Sequence, residues 1–197
     1  GGVVMRQAPP QVDIVRYLVG QPVQSVRAVS GRKPQGLGTE GHYTALITFA
    51  GGAAASISCN GYGYFDIAEF TTQQGSHPAA PRPWPAGAVD AAGKYRDPAV
   101  EEAVSRREAT GHQPFCGLTL VSCQRGCMRQ SSEGIYVYSD SGRELVPLAL
   151  DNGLAAPFVE LRDALREGRP VFPDGAWGKA TLAVCLAILA SSREGRE

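Results

Sequence analysis

The sequence predicts an α+β domain, an open and largely antiparallel β-sheet with helices packed on one face. Three observations carry that expectation. Strand patterns succeed one another through hairpin turns, without regular strand–helix alternation. One of them alternates cleanly, with Tyr43, Ala45, Ile47 and Phe49 interleaved with Thr44, Leu46 and Thr48. Finally, the segment from Trp177 to Leu189, after the turn residues Pro173-Asp174-Gly175, reads as a helix with almost no polar face. Such a helix is expected to be buried under a large apolar surface, and the sheet is that surface.

The elements follow in order. Pro9 and Pro10 suit only the first turn of a helix, and Val12, Val15, Leu18 and Val19 follow at helical spacing before Gly20, which predicts a short amphipathic helix from near Pro10. Val23 to Val29 and Tyr43 to Phe49 read as strands, Ala50-Gly51-Gly52 as a hairpin turn, and Ala53, Ala55, Ile57 and Cys59 as a period-two strand. The small side chains of that strand predict close approach by a helix or sheet. A fourth strand is expected near Phe65 to Thr72. From about 75 to 113 five prolines interrupt the pattern, so this stretch reads as an irregular insertion, with a helix possible only from Pro98 to Glu108. Leu118 to Ser122, Ile135 to Tyr138 and Leu145 to Leu148, separated by turns at Arg125-Gly126 and Asp140-Ser141-Gly142, predict an antiparallel meander. Pro157, then Phe158, Leu161, Ala164 and Leu165, with Gly168 as a stop, predict another helix before the closing one.

Length and charge narrow the function classes. The 197 residues suit a single domain with one insertion. Nineteen Lys and Arg balance nineteen Asp and Glu, interspersed, so neither nucleic acid nor an acidic membrane surface is an expected partner. The apolar run from Leu182 to Ala190 is short for a bilayer, and a cytoplasmic protein is expected. Five cysteines, with no ligand pair at zinc spacing, read as reduced thiols, and no metal is expected. There is no phosphate loop and no nucleophile elbow. Gly36, Gly38 and Gly41 match a Gly-x-Gly-x-x-Gly spacing, but a strand follows them, which reads as a loop. Tyr43, Phe49, Tyr62, Tyr64, Tyr136 and Tyr138 lie on or near strands, either on an open ligand- or subunit-binding face or packed beneath the helices.

The stretch from Gly1 to Leu18 resembles the opening of the C-terminal domain in the Gfo/Idh/MocA family of nicotinamide-dependent oxidoreductases. Thr39-Glu40-Gly41, Gly61-Tyr62-Gly63-Tyr64-Phe65-Asp66, Val121-Ser122-Cys123-Gln124-Arg125-Gly126 and Trp177-Gly178-Lys179-Ala180-Thr181 are similar to the branch containing phthalate dihydrodiol (4,5-dihydroxyphthalate) dehydrogenases. The resemblance implies a dihydrodipicolinate-reductase-like fold. It further implies that residues 1–197 form one substrate-binding and oligomerisation domain, that a Rossmann domain carrying NAD or NADP and a catalytic lysine lies outside this chain, and that no cofactor binds here. A small hydroxylated molecule, such as a cyclic diol, and a second copy docked through the open sheet are the implied partners.

The resemblance also suggests site residues. Family members place an Asp and a His four residues apart at the start of the first helix, and Arg6 and Pro10 occupy those positions. Arg6 is a candidate clamp for a substrate carboxylate, since its guanidinium fork fits carboxylate geometry; a solvated Arg is the alternative. Pro10 transfers no proton, so the usual acid–base step needs another group. Asp13 and His112 are the catalytic candidates: Asp13 matches a family position, or else sits in a first helical turn and stabilises the dipole, while His112, where the insertion rejoins the sheet, is a candidate acid–base imidazole or else a loop histidine. Gln7 and Gln11 are candidate substrate hydrogen-bonders or exposed helix residues. His42 and His77 read as structural or solvated. Lys179, expected in the first turn of a helix, is electrostatically misplaced there and hints at a specific partner. The competing readings are a non-catalytic binding or dimerisation module and a stand-alone sugar or aromatic-acid binder.

Overall fold

The first helix, α1 (Val3–Val19), starts well before Pro10 and carries Pro9 and Pro10 in its interior. This corrects the expected start, and the reason is tertiary. The Val3 N–H donates to the Glu40 carbonyl at 3.1 Å and the Val4 N–H to Glu40 Oε1 at 3.2 Å, so a distant residue supplies the cap that Gly2 cannot. Val4, Ala8 and Val12, one stripe at four-residue spacing, are then completely buried. Interior prolines cost about 3 kcal/mol each, and burying aliphatic side chains returns roughly 1.5–3 kcal/mol apiece, so a well-packed stripe with a capped start tolerates them. Gly20, at φ +65°, ends the helix in the left-handed region.

The computed structural model describes residues 2–32, 38–61, 117–131, 133–148 and 155–196. The expected strand near Phe65 to Thr72, the insertion at about 75–113, Tyr62, Tyr64, His77, Cys116 and His112 lie outside them. The chain divides into two units, Gly1–Gly63 with Val159–Glu197, and Tyr64–Phe158.

In the first unit, β1 (Val23–Gly31), β2 (His42–Phe49) and β3 (Ala54–Asn60) form an antiparallel sheet in that order. The alternation read in the sequence decides its faces: Tyr43, Ala45, Ile47 and Phe49 are buried with Val26, Ala28 and Ile57. Ala50 to Ala53 make the expected turn, with Gly52 at φ +82° and the Phe49 N–H on the Ala53 carbonyl at 2.9 Å. At the end of β3, a Cβ on Gly61 would stand 2.8 Å from the Gly41 carbonyl oxygen, so only glycine allows that approach.

The closing helix of this unit, α3 (Gly175–Glu194), begins where expected, with Asp174 Oδ1 accepting the Trp177 N–H at 2.7 Å. Val184, Cys185 and Ile188 pack with α1 into the same core, so both helices lie on the Tyr43 face of the sheet. Only this stripe is buried. Leu182 is 44% and Leu186 51% exposed, which corrects the expectation of burial all round, because one sheet face and one neighbouring helix cover a stripe and not a circumference. With 20 residues and mean hydropathy 1.3, α3 is long and apolar enough to cross a bilayer; 28% of that stretch is buried, in the stripe that packs against β1 and α1.

Two serines near the end of α3 close the outer edge of β1. Ser191 Oγ accepts the buried Ala28 N–H at 2.9 Å, and Ser192 Oγ accepts the Ser30 N–H at 2.8 Å. Ser191→Ala is expected to lower stability by about 1–3 kcal/mol, because a buried donor is left unpaired. Urea denaturation measures the loss, and an unchanged midpoint would contradict the assignment.

Among the described residues the second unit contains four antiparallel strands in sequence order, β4 (Leu120–Cys123), β5 (Gly126–Gln130), β6 (Gly134–Ser139) and β7 (Gly142–Pro147). This is the expected meander, with β5 added to it between β4 and β6. Every described pairing is antiparallel, as predicted, and the described strands form one three-stranded and one four-stranded sheet. Ser122 pairs with Cys127 and Cys123 with Gly126, so Cys123 and Cys127 project to opposite faces and do not face each other as ligands. Helix α2 (Ala156–Glu167) has its stop at Gly168, φ +65°. Of its apolar residues only Ala164 is buried; Phe158 and Leu165 are each 75% exposed, so the apolar stripe that predicted this helix does not supply core.

Candidate substrate site on the first helix

The polar residues of α1 meet different neighbours along its length. The N-terminal half presents Arg6 and Gln7, both exposed. Arg6 lies close to the start of a helix whose leading N–H groups Glu40 has already taken, so a negative ligand there would be met by the guanidinium and not by the bare helix terminus. Pro9 and Pro10 offer no N–H to the carbonyls of Met5 and Arg6, which breaks the helical ladder at this position.

Gln11 faces the sheet. Its Nε2 donates to the Ser58 carbonyl at 3.1 Å and its Oε1 accepts a short hydrogen bond from the Tyr43 hydroxyl. Both ends of this amide are engaged within the protein, so Gln11 anchors α1 across β2 and β3. Burial raises the Tyr43 phenol well above its usual range, which keeps the hydroxyl protonated and donating.

Asp13 and Arg16 face α3. Asp13 Oδ1 accepts from Trp177 Nε1 and, at 3.1 Å, from Thr181 Oγ1. Arg16 Nη1 donates to the Trp177 carbonyl at 2.9 Å and to Thr181 Oγ1, while its guanidinium carbon lies 4.0 Å from the centre of the Trp177 ring. Asp13 lies deep in the helix and not in its first turn, so the dipole reading is corrected. The structure places this carboxylate in an inter-helix network. Lys179 falls just beyond the first turn of α3 and is exposed, which removes the electrostatic conflict predicted for it.

The Trp177 ring also stacks edge-on against Phe172 at 5.0 Å, and Phe172 meets Tyr17 at 6.1 Å. Glu160 holds the approach to this cluster, bonding Arg169 Nη1 at 2.6 Å and the Phe172 N–H at 3.0 Å. The Arg169 bond first, and the Phe172 N–H second, lower the Glu160 carboxyl from 4.5 to about 2. A carboxyl lowered in the folded state adds stability above its unfolded value that is lost as pH falls toward the folded one. Acidification from about 4.5 to about 2 is therefore expected to loosen this loop in the native protein, and Glu160→Gln to remove that part of the pH dependence. Trp177 fluorescence against pH tests it; identical curves for the two proteins would count against the contact.

The structure brings together Arg6 and Gln7 on one stretch of α1 and commits Gln11 and Asp13 to other contacts. His112 lies outside the described residues. Sequence reasoning missed Glu40, Arg16 and Trp177 as the groups that hold α1 in place. The Thr39-Glu40-Gly41 and Trp177-Gly178-Lys179 motifs marked two of these regions without revealing what they do. Among the described residues no cluster of His, Cys, Asp or Glu is arranged to hold a metal.

Two helices on one face of an antiparallel sheet, with a polar side of the first helix turned to solvent, are an α+β arrangement. Residues 1–76 match the family model described as the GFO/IDH/MocA C-terminal domain, and the fold is the one seen in that domain. The chain is 28% identical over 205 residues to 1-carboxy-3-chloro-3,4-dihydroxycyclohexa-1,5-diene dehydrogenase of Comamonas testosteroni, covering 96% of this chain and 51% of that protein. A solved structure of a protein assigned as a dehydrogenase from Bordetella bronchiseptica superposes with a TM-score of 0.76 at 35% identity, over 100% of this chain and 54% of that one. The WlbA dehydrogenase of Bordetella pertussis, solved with NADH and UDP-GlcNAcA, shares the fold at 19% identity and a TM-score of 0.52, over 99% of this chain and 44% of its own. The chain spans about half the length of these relatives.

Proposed function

We propose that this chain is the substrate-binding domain of an NAD(P)-dependent dehydrogenase whose substrate is a carboxylated cyclic diol, with Arg6 on the substrate carboxylate and Gln7 on a hydroxyl. The observation that carries this reading is the exposed Arg6–Gln7 stretch of a rigidly anchored α1, within the residues that match the oxidoreductase domain model. The name of the Comamonas relative, a carboxylated dihydroxycyclohexadiene, supplies the substrate class. A fork of donors on a fixed helix discriminates a carboxylate from a neutral group, because the guanidinium pairs with both oxygens.

The nicotinamide cofactor belongs in this reading to a separate dinucleotide-binding domain, and hydride transfer requires it. Pro10 supplies no proton and Asp13 is engaged by Trp177 and Thr181, so in this reading the acid–base group comes from His112 or from that other domain. Association through an exposed sheet face is part of the same proposal.

Calorimetric titration of the 197-residue chain with a carboxylated cyclohexadiene diol, and separately with NADH, tests the division of labour. Saturable binding of the diol without binding of NADH is expected. NADH binding alone would overturn the reading and favour a cofactor site on this chain. Sedimentation that shows dimerisation with no diol binding would favour a pure assembly module.

A further inference from the structure

The second sheet carries two arginines converging on one tyrosine. Arg129 on β5 pairs with Tyr136 on β6, and Arg143 on β7 pairs with Tyr138, two residues further along β6 and therefore on the same face. Both guanidinium groups close on Tyr136: their central carbons lie 4.4 Å and 5.0 Å from the ring centre. Arg129 Nε also donates to the Tyr138 hydroxyl at 2.9 Å, which fixes the orientation of that fork. Tyr138 lies 6.5 Å from Tyr136, ring centre to ring centre.

Two like charges gathered on one ring repel each other, and at such separations salt screens them only in part. Among the described residues neither guanidinium has a carboxylate at ion-pair distance; the described ion pairs all involve other arginines. Glu133 is tied to this cluster through the Tyr136 hydroxyl at 3.2 Å and offsets one of the two charges. Stacking occupies the flat faces of the guanidinium groups and leaves their N–H edges for in-plane acceptors, and the entropy of ordering two long side chains has already been spent.

We propose that the Arg129–Tyr136–Arg143 stack is a binding site for a small doubly charged oxyanion, held by the N–H edges of both arginines. The ligand is a phosphate or a dicarboxylate, since either presents paired oxygens to the two forks. This site lies in the second unit and is independent of the role assigned to Arg6.

Side-chain ¹⁵N NMR of the full chain, following the arginine Nε–H signals, tests the proposal with inorganic phosphate in one arm and malonate in the other. Sodium chloride at matched ionic strength is the reference. Saturable shifts of the Arg129 and Arg143 signals beyond those in chloride are expected, and the arm that saturates at lower concentration identifies the ligand chemistry. Arg143→Gln removes one fork from an exposed position, and Arg129→Lys keeps the charge but loses the fork; each is expected to weaken binding at least about tenfold, while Lys179→Gln leaves it unchanged. Shifts no larger than with chloride, or wild-type affinity in both Arg variants, would overturn the proposal.

Discussion

Phe49→Ala is expected to lower the stability of the chain by about 3–5 kcal/mol, the range for emptying a buried phenylalanine site. Phe49 is 0% exposed and closes β2 against Val23 on β1, directly before the Ala50-Gly51-Gly52 turn. Its neighbours in the core come from three strands and two helices, so no single element can move into the space left behind. For a domain whose total stability is on the order of 5–15 kcal/mol, the loss is a large share. Leu46, on the opposite face of the same strand and 48% exposed, is the matched control, and Leu46→Ala is expected to cost less than about 1 kcal/mol. Urea denaturation of both variants measures the difference. Equal losses would mean that the helices do not cover the Tyr43 face.

Trp177→Ala is the second large effect, expected at about 3 kcal/mol, and it bears on function as well as stability. The substitution removes the ring beneath the Arg16 guanidinium, the edge contact with Phe172, and the indole donor to Asp13. Asp13 then keeps only Thr181 among its described donors. Trp177→Phe retains the ring and loses the N–H, so it is expected to cost roughly 1–2 kcal/mol. Because this network sets α1 against α3, Trp177→Ala is also expected to weaken diol binding at Arg6 even though Trp177 does not touch the ligand. Denaturation and calorimetry on the two variants separate ring from donor. A Trp177→Phe protein as damaged as Trp177→Ala would assign the whole effect to the hydrogen bond.

The strands and turns of the first unit were legible because their information is local. Period two sorts Tyr43, Ala45, Ile47 and Phe49 from Thr44, Leu46 and Thr48, and one face is buried for the reason the pattern gives. The start of α1 was not legible, since two prolines argue locally for a helix beginning at Pro10, while the cap that overrides them comes from Glu40. The same limit applies to α3: the sequence shows how apolar it is, but not that α1 and β1 would cover only one stripe of it. The division of the strands between two sheets is likewise a matter of pairing partners, which hydrophobic period does not encode.

At the candidate site, Arg6 stood out through the resemblance at the helix start and Gln7 as a hydrogen-bonding side chain beside it; both are exposed. Gln11 and Asp13 looked equivalent to them along the sequence; they lie four positions after Gln7 and seven after Arg6, on nearly the same sides of the helix but one or two turns further along, where other elements pack against it. For Gln11 the neighbour is the sheet, and for Asp13 it is Trp177, 164 residues away in the chain. Contacts of that separation leave no trace in spacing.

The central claim is that Arg6 reads the carboxylate of a cyclic diol, and binding of two matched ligands tests it most directly. Calorimetry would compare wild type and Arg6→Lys with a carboxylated cyclohexadiene diol and with the same diol lacking the carboxylate. The account predicts that the carboxylated diol binds wild type at least about tenfold more tightly than the decarboxylated one, and that Arg6→Lys loses most of that preference, because an ammonium cannot form the paired contact. Equal preference in the two proteins would contradict it and move the carboxylate site away from α1.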